Sequence, residues 1–330
     1  RIYGKYKLFV AYSIVSTFLR TIISIILVYL LEDKFYGRVL GYLMPMVLLT
    51  MVLWGYVVVR GRGISWEHVK YACKISIPLI PHALSGTVLA GADKIMITKY
   101  CGDEETALYA LAYTVATIAT LLWSSMNQAW SPWLFDKLNE KKHIEINKYS
   151  KAYLGIYAIL IIGVLLIAPE IVLVLGGKEY YVARYVMPPV ILGCVFQFVN
   201  GMYINIEIYE KKTFAISVGT VSAALLNVVL NQIFIPRYGY IAAAYTTLVG
   251  YMAQAAFHFF NVMRISKQYK SVYDIKFVFG IIAVLIGMGW SLSKCYDGIV
   301  VRMILLVLYI GSMLLVVCKQ WKSISSMIKK

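Results

Sequence analysis

The chain has 330 residues, of which 61% are hydrophobic, and its mean hydropathy is +0.73. This composition excludes an ordinary soluble domain. The formal net charge is +16, but the basic residues are scattered over separate short segments, and no single arm or groove collects them. The charge therefore indicates membrane topology and anionic lipid rather than a nucleic-acid partner.

Apolar stretches of about twenty residues follow one another along the chain, and each is long enough to cross a bilayer as a helix. The ten predicted spans cover residues 10–31, 39–59, 76–97, 107–129, 154–175, 187–208, 214–235, 241–262, 277–292 and 299–317. The sequence thus predicts an all-α fold, a polytopic transmembrane helix bundle.

The basic residues of the connecting segments alternate between the two sides of the membrane. If the segment before the first span defines side one, that side holds 22 of the 32 Lys and Arg residues and side two holds 8, while Arg20 and Lys94 lie within spans. Because Lys and Arg mark cytoplasmic loops, both termini of this chain are predicted to be cytoplasmic. The chain opens on Arg1 in a segment typical of a loop between helices, so we expect it to be the C-terminal portion of a longer protein.

Polar side chains line one face of several predicted helices. The seventh span carries Thr213, Ser217, Thr220, Asn227 and Asn231 at helical spacing. Comparable stripes occur in the first span (Ser13, Thr17, Arg20, Ser24), the third (His82, Ser85, Gly86, Asp93), the fourth (Tyr113, Thr117, Thr120, Ser124, Asn127) and the eighth (Thr247, Gly250, Gln254, His258).

Two interpretations of these stripes stay open. Small and hydroxylated residues mediate close helix packing in membranes. Amides and charges are not needed for packing, and an Arg or Asp at the bilayer centre costs about 2.5–3.5 kcal/mol. They favour a shared polar cavity, with the two nearly featureless last spans at the periphery. In the third span, Pro78 and Pro81 predict a bend, and Asp93 is expected to face the striped side.

A weak internal repeat supports a two-lobed arrangement. With a shift of 202 residues, Tyr36-Gly37 falls on Tyr238-Gly239 and Arg62 falls on Arg264. Each Tyr-Gly pair is predicted to lie in a short outer turn between two spans, as in a parallel repeat. No cysteine or histidine cluster suggests a metal site, and no acid–base constellation suggests a catalytic one.

Several segments, taken in order, resemble a known family. They include KISIPLIPHALSGTVLAGADKIMITKYCG, ALYALAYTVATIATLLWSSMNQAWSPWLF, GGKEYYVARYVMPPVILGCVF and the stretch 204–251. The chain resembles the lipid-linked oligosaccharide (polysaccharide) flippases of the multidrug/oligosaccharidyl-lipid/polysaccharide exporter superfamily. The resemblance covers residues 65–320 well and the first 65 residues more loosely.

The resemblance implies a two-lobed exporter fold from which the first four helices are absent, so that the ten spans match helices five to fourteen. It implies three regions. Residues 1–64 would be the last two helices of the N-terminal lobe, residues 65–266 a six-helix C-terminal lobe, and residues 267–330 two additional C-terminal helices with a cytoplasmic tail.

The resemblance also implies a function in the bacterial cytoplasmic membrane. A polyprenyl-pyrophosphate-linked oligosaccharide would be moved to the outer leaflet for cell-surface polysaccharide synthesis, with membrane lipids as neighbours, no cofactor, and a polysaccharide polymerase and assembly proteins as candidate partners. Within that function, Arg20 would neutralise pyrophosphate, because guanidinium offers always-charged planar donors. Candidate ligands for sugar hydroxyls and sugar faces are Gln128, Asn200, Asn205, Asn227, Asn231 and Trp123. Asp93 and His82 are the candidates for coupling to an ion or proton.

Two other functions remain as alternatives. A cation-coupled drug or small-molecule antiporter of the same superfamily would need acidic residues to dominate the cavity, whereas this chain offers mostly amides and an arginine. A membrane-embedded polysaccharide polymerase or transferase would need a sizeable outer catalytic loop, and the longest predicted one, between Leu175 and Met187, has about a dozen residues.

Overall fold

The computed structural model describes residues 6–61 and 65–328. Its regular elements within these ranges are helices, and two short 3₁₀ turns, Tyr181–Val186 and Lys267–Ser271, supplement the α-helices. The α-helices are α1 (Tyr6–Leu30), α2 (Lys34–Arg60), α3 (Trp66–Ser76), α4 (Leu79–Cys101), α5 (Asp103–Asn139), α6 (His143–Gly176), α7 (Met187–Tyr209), α8 (Thr213–Tyr238), α9 (Tyr240–Ile265), α10 (Ile275–Lys294) and α11 (Ile299–Ile328).

The predicted all-α, polytopic fold is confirmed. Eight segments among the described residues are long and apolar enough to cross a membrane by length and composition. The predicted eighth span forms α9, which is long enough but is not one of the eight, because its tyrosine, threonine, glutamine and histidine residues lower its hydropathy. The apolar part of α11, Ile299–Met313, is shorter than a full span.

The chain divides into two compact units, Arg1–Lys74 and Ile75–Lys330. The first contains the antiparallel pair α1 and α2, and Asp33 caps α2 by accepting hydrogen bonds from the backbone of Phe35 and Tyr36. Gly37, Gly41 and Pro45 are buried at four-residue spacing, so one face of α2 packs closely on α1. The predicted division into regions 1–64, 65–266 and 267–330 stays a prediction.

In the second unit, α7 is the most deeply buried helix, since nearly all of its residues from Met187 to Glu207 belong to the core. Helices α5, α6, α8 and α9 pack against it, and α4 packs on α5, α8 and α9, while α10 packs on α6 and α7 and α11 packs on α6. The last two helices are not featureless, however. Arg302 was one of the eight basic residues assigned to side two. It is 2% exposed and forms a 2.9 Å ion pair with Glu170 of α6.

The predicted third span is interrupted. Helix α3 ends at Ser76 and α4 begins at Leu79, because Pro78 has no backbone N–H to continue the ladder. The Ser217 hydroxyl of α8 donates a hydrogen bond to the Pro78 carbonyl and satisfies an acceptor that the interruption leaves open. The predicted bend is therefore a break with its own side-chain partner.

The predicted equivalence of the two Tyr-Gly pairs is wrong in detail. Gly239 forms the turn between α8 and α9 with φ of 69°, a conformation that favours glycine. Tyr36 and Gly37 instead lie in the first turn of α2, where Gly37 packs against the backbone of Leu27. Asp33 starts the helix earlier than the apolar pattern suggests, and this places the pair inside the helix.

Candidate functional site

A polar cavity of about 440 Å³ lies within the second unit. Five helices, α4, α5, α7, α8 and α9, contribute to its wall. Four of them, α4, α5, α8 and α9, carry a predicted polar stripe, whereas α7 was not among the striped spans. The lining residues are His82, Gly86, Leu89, Thr120, Trp123, Asn127, Gln197, Asn200, Gly201, Ile204, Asn205, Ile208, Thr220, Tyr251 and Gln254.

Four of the predicted site residues line this cavity: His82, Trp123, Asn200 and Asn205. Asn205 donates a hydrogen bond of 2.8 Å to the Asn127 side chain, which fixes its amide. Asn200 is 3% exposed, and neither its amide nitrogen nor its amide oxygen has a hydrogen-bond partner within the described structure. Buried amides are normally paired, so the Asn200 side chain offers one donor group and one acceptor to a ligand.

Trp123 places its indole nitrogen, also without a described partner, beside Gly201. A Cβ at position 201 would lie 2.9 Å from that nitrogen, so the absence of a side chain there lets the ring reach the wall of the cavity. Trp123 thus combines an apolar ring with an available N–H donor, which is the combination that sugar faces and hydroxyls require.

Gln128 is not among the residues that line the cavity. Its side chain is exposed on α5 and donates a 3.5 Å hydrogen bond to Ser124, one turn earlier. The assignment of Gln128 to substrate stays a prediction.

Asp93, Asn227 and Asn231 come together in a buried network rather than on the cavity wall. All three are fully buried. The Asp93 carboxylate accepts hydrogen bonds from Tyr109 Oη at 2.5 Å, Thr247 Oγ1 at 2.6 Å and Asn231 Nδ2 at 2.6 Å. The Asn227 side-chain amide forms a hydrogen bond of 2.9 Å with Thr247 Oγ1, and Thr246 Oγ1 donates to Asn231.

This network and the cavity are neighbours. Leu89 lines the cavity, and Asp93 lies four residues farther along the same face of α4. Helices α4, α5, α8 and α9 each supply at least one member of the network. A shift of any of these helices would therefore change the hydrogen bonds to the Asp93 carboxylate.

His82 connects the cavity to α8. Its Nδ1 lies 2.6 Å from Thr220 Oγ1, and Gln254 Nε2 donates to the same hydroxyl at 3.0 Å. The polar stripes of the third, seventh and eighth predicted spans thus meet through side-chain hydrogen bonds. Close helix packing alone would not require these bonds.

Arg20 belongs to the first unit and lines a groove of about 820 Å³ between α1 and α2. Its Nη1 donates to Tyr42 Oη at 3.2 Å, and its guanidinium stacks over the Tyr42 ring at 5.1 Å. Arg38 lines the same groove. Arg38 precedes the predicted second span, so sequence reasoning placed it in an outer loop and missed it as a companion of Arg20. The two residues line one groove only because α1 and α2 fold back on each other.

Sequence reasoning also missed Glu207. This carboxylate is fully buried in α7, bonded to His258 and Asn261 of α9. The signal was present, since Glu207 is an acidic residue within the predicted span 187–208. Because an ionisable residue inside the membrane costs free energy, an acidic residue within a span is a candidate functional residue.

Comparison with known proteins adds two matches. Residues 5–138 match a family model described as polysaccharide biosynthesis protein. A solved structure titled "Lipid II flippase MurJ, inward closed conformation" superposes with a TM-score of 0.56 at 15% identity, covering 87% of this chain and 67% of that chain.

The predicted family resemblance is confirmed over residues 5–138, where the chain matches the family of polysaccharide biosynthesis proteins. At 15% identity the structural match supports the fold. No curated protein sequence matches the chain.

Proposed function

We propose that this protein translocates a polyprenyl-pyrophosphate-linked oligosaccharide across the bacterial cytoplasmic membrane for cell-surface polysaccharide synthesis. The proposal includes the predicted orientation, with both termini of this chain cytoplasmic, and the predicted three-region division. The coarser function, movement of a lipid-linked precursor, has the family match as its support.

The observation that carries the proposal is the chemistry of the cavity wall. The described lining residues include five amides, three hydroxyls and an indole, and His82 is the one side chain among them that can carry a full charge. Such a wall suits neutral sugars, whose hydroxyls each need donors and acceptors. The lipid tail can stay in the bilayer while the polar head passes through a space of this kind.

The anionic part of the substrate calls for cations. Arg20 and Arg38 supply two guanidinium groups to one groove of the first unit, and guanidinium binds phosphate oxygens in a planar, bidentate manner. We propose that these two residues neutralise the pyrophosphate. Gln128, Asn227 and Asn231 remain predicted sugar ligands without a position on the cavity wall.

Asp93 is proposed as the coupling residue. An ionisable carboxyl group inside a membrane span costs free energy, so its presence there indicates a function that a neutral residue could not perform. Its hydroxyl and amide partners could hold a bound cation or a proton as well as a bare carboxylate. This buried acid is also the observation that favours the second candidate function, cation-coupled export of a drug or small molecule.

A transport assay distinguishes the two candidates. We expect that cells lacking the protein accumulate lipid-linked oligosaccharide on the cytoplasmic leaflet, and that reconstituted protein moves it across a vesicle membrane. Normal outer-leaflet exposure in the deletion strain would refute the flippase proposal. Drug resistance that depends on the protein, without any effect on lipid-linked sugars, would establish the antiporter instead.

A matched pair of variants tests the cavity itself. Asn200→Leu removes an amide that has no protein partner, so we expect transport to fall by about tenfold while the free energy of unfolding changes by less than about 1 kcal/mol. Asn205→Leu also removes the partner of Asn127 and is expected to destabilise the fold by about 1–3 kcal/mol. Unchanged transport in Asn200→Leu would contradict the assignment of Asn200 to substrate.

A further inference from the structure

The second unit contains a buried acid–imidazole pair that the proposed transport does not yet use. Glu207 of α7 and His258 of α9 are both 0% exposed, and His258 Nδ1 lies 2.9 Å from Glu207 Oε2. Asn261 Nδ2 donates to the other carboxylate oxygen, Oε1, at 2.6 Å. His258 Nε2 is buried and has no hydrogen-bond partner in the described structure.

The hydrogen bonds restrict where a proton can reside. Oε1 already accepts a hydrogen from Asn261, so the Oε2···Nδ1 contact holds one shared hydrogen. If Nε2 is bare, Nδ1–H donates to the carboxylate and the pair carries one negative charge. If one more proton binds, the pair becomes neutral overall, either as imidazolium with carboxylate or as neutral imidazole with carboxylic acid.

Both neutral arrangements place a hydrogen on Nε2, the ring atom without a partner. A neighbouring acceptor would hold Nε2 in its protonated form, and a neighbouring donor would hold it in its unprotonated form. The described structure provides neither, so neither form of Nε2 is fixed. Because a buried net charge is costly, a buried pair that can become neutral by taking up one proton is suited to bind one. Nε2 is the atom at which that proton enters and leaves.

We propose that Glu207 and His258 form a second proton-binding site, distinct from the Asp93 network, that takes up and releases one proton during transport. The proposal rests on the proposed function. No electron transfer or bond to carbon is involved, since the step is transfer of one proton between water and Nε2.

Polar side chains on the same face of α9 lie between this pair and the cavity. Gln254 lies one turn from His258 on α9, lines the cavity and bonds to Thr220, which in turn bonds to His82. Farther along the same face, Thr247 bonds to Asp93. The eleven residues from Thr247 to His258 correspond to about 16 Å of helix, so one stripe of α9 touches both buried carboxylates.

Gly219 of α8 permits the position of the imidazole. A Cβ at this residue would lie 2.9 Å from His258 Cε1 and 2.5 Å from Phe257 Cδ1. The His258 ring is thus held against a helix backbone on one side and against Glu207 on the other.

Other charged or titratable groups near the pair have separate partners or lie on other turns. Glu210 is bonded to Tyr269, and Lys137 is paired with Glu140 and Glu145. Helix α8 carries no charged residue before Arg237. The groups on the packed elements are His82 on α4, Asp136 and Lys137 on α5, Tyr203 on α7, Glu210, Lys211 and Lys212 in the turn that follows α7, Arg264 on α9 and Lys276 on α10.

The test uses the whole protein in vesicles, with a lipid-linked oligosaccharide as the transported probe. We expect the wild-type rate to change by about tenfold between pH 5 and pH 8 and the rate of Glu207→Gln to change by less than about twofold, because Gln keeps the shape but cannot exchange a proton. The matched control is Glu210→Gln, which alters a carboxylate outside the pair and should keep the wild-type profile. A Glu207→Gln profile that follows the wild type overturns the proposal.

A second measurement does not depend on transport or on the folding of one variant. Difference infrared spectroscopy between low and high pH reports protonation changes of buried carboxyl and imidazole groups. We expect a pH-dependent signal that persists in Asp93→Asn and is lost in His258→Gln as well as in Glu207→Gln. If the wild type shows no such signal beyond that of Asp93, the site does not exist.

The two measurements also separate this proposal from the proposed function. Wild-type protein that shows the infrared signal but moves no lipid-linked oligosaccharide would refute the flippase assignment and leave the proton site standing. Protein that transports the oligosaccharide without the infrared signal would support the flippase assignment and refute the proton site.

Discussion

Asp93 and Glu207 are both fully buried carboxylates in the second unit, but their partners are of different kinds. Asp93 accepts hydrogen bonds from a phenol, a threonine and an asparagine, none of which carries a charge near neutral pH. Glu207 is bonded to an imidazole, a side chain that can take up a proton. The first carboxylate sits in a fixed neutral donor set, whereas the second shares its protonation with a partner.

The difference teaches that burial alone does not define a role. A carboxylate surrounded by neutral donors can hold a cation or a proton at a site set by geometry. A carboxylate beside an imidazole can change the net charge of the pair without moving a helix. The two sites therefore suit different steps of one transport cycle, and α9 contributes a residue to each.

The largest expected effect comes from removal of the Asp93 carboxylate. Asp93→Ala leaves the hydrogens of Tyr109, Thr247 and Asn231 without their acceptor, and we expect the free energy of unfolding to fall by about 3–5 kcal/mol. Denaturant unfolding in detergent measures this change. Asp136→Ala, which removes an exposed aspartate from α5, is the control and should have little effect. A loss below about 1 kcal/mol in Asp93→Ala would show that the network does not hold the fold together.

An intermediate effect is expected from Gly219→Ala, which sharpens the comparison at the Glu207 site. The added Cβ would push Phe257 and His258 away from α8, and we expect destabilisation of about 1–3 kcal/mol together with a changed pH profile. Gly155→Ala in α6 is the matched control, because a Cβ there meets no other atom within 4 Å. Alanine should be neutral or slightly stabilising at that position. Equal stabilities of the two variants would contradict the close packing of His258.

The smallest effect concerns a carboxylate outside the membrane, Asp274, which contrasts with both buried acids. A hydrogen bond from Lys151, at 2.6 Å, lowers the pKa of Asp274 below its ordinary value of 3.8. Because the folded pKa is depressed, the stabilisation is present above pH 3.8 and is lost as the pH falls through the lowered value.

Asp274→Asn isolates that contribution, since asparagine still caps the start of α10. We expect the variant to match the wild type in acid and to be slightly less stable above pH 3.8. Unfolding curves recorded across the acid range measure the difference. A constant difference at all pH values would point to the cap rather than to the ion pair.

The sequence was sufficient for the architecture because the membrane imposes few solutions. Apolar stretches of sufficient length must be helices. The polar stripes predicted four of the five helices that line the cavity, α4, α5, α8 and α9, but not α7. His82, Trp123, Asn200 and Asn205 share one cavity. Periodicity alone could not separate Asn200, which faces the cavity, from Asn227 and Asn231, which turn toward Asp93.

The contacts that sequence reasoning did not predict have a common physical cause. Glu207 and His258 lie 51 residues apart, and Arg302 and Glu170 lie 132 apart, so their meaning depends on which helices pack together. A single sequence gives the face of each helix but not its neighbour. The polar ends of α5 and α6 were likewise assigned to loops, because hydropathy marks where a bilayer ends and says nothing of where a helix ends.

These two helices have a practical consequence for anyone working on the protein. At 37 and 34 residues, α5 and α6 are longer than the roughly 20 residues that a bilayer requires, and the turn between them, Glu140 to Lys142, is solvent-exposed. Helices of this length extend past the bilayer core, so we expect the turn to lie outside it, where a water-soluble label can reach it. A single engineered thiol at Lys141 would reveal directly which face of the membrane this end of the hairpin occupies.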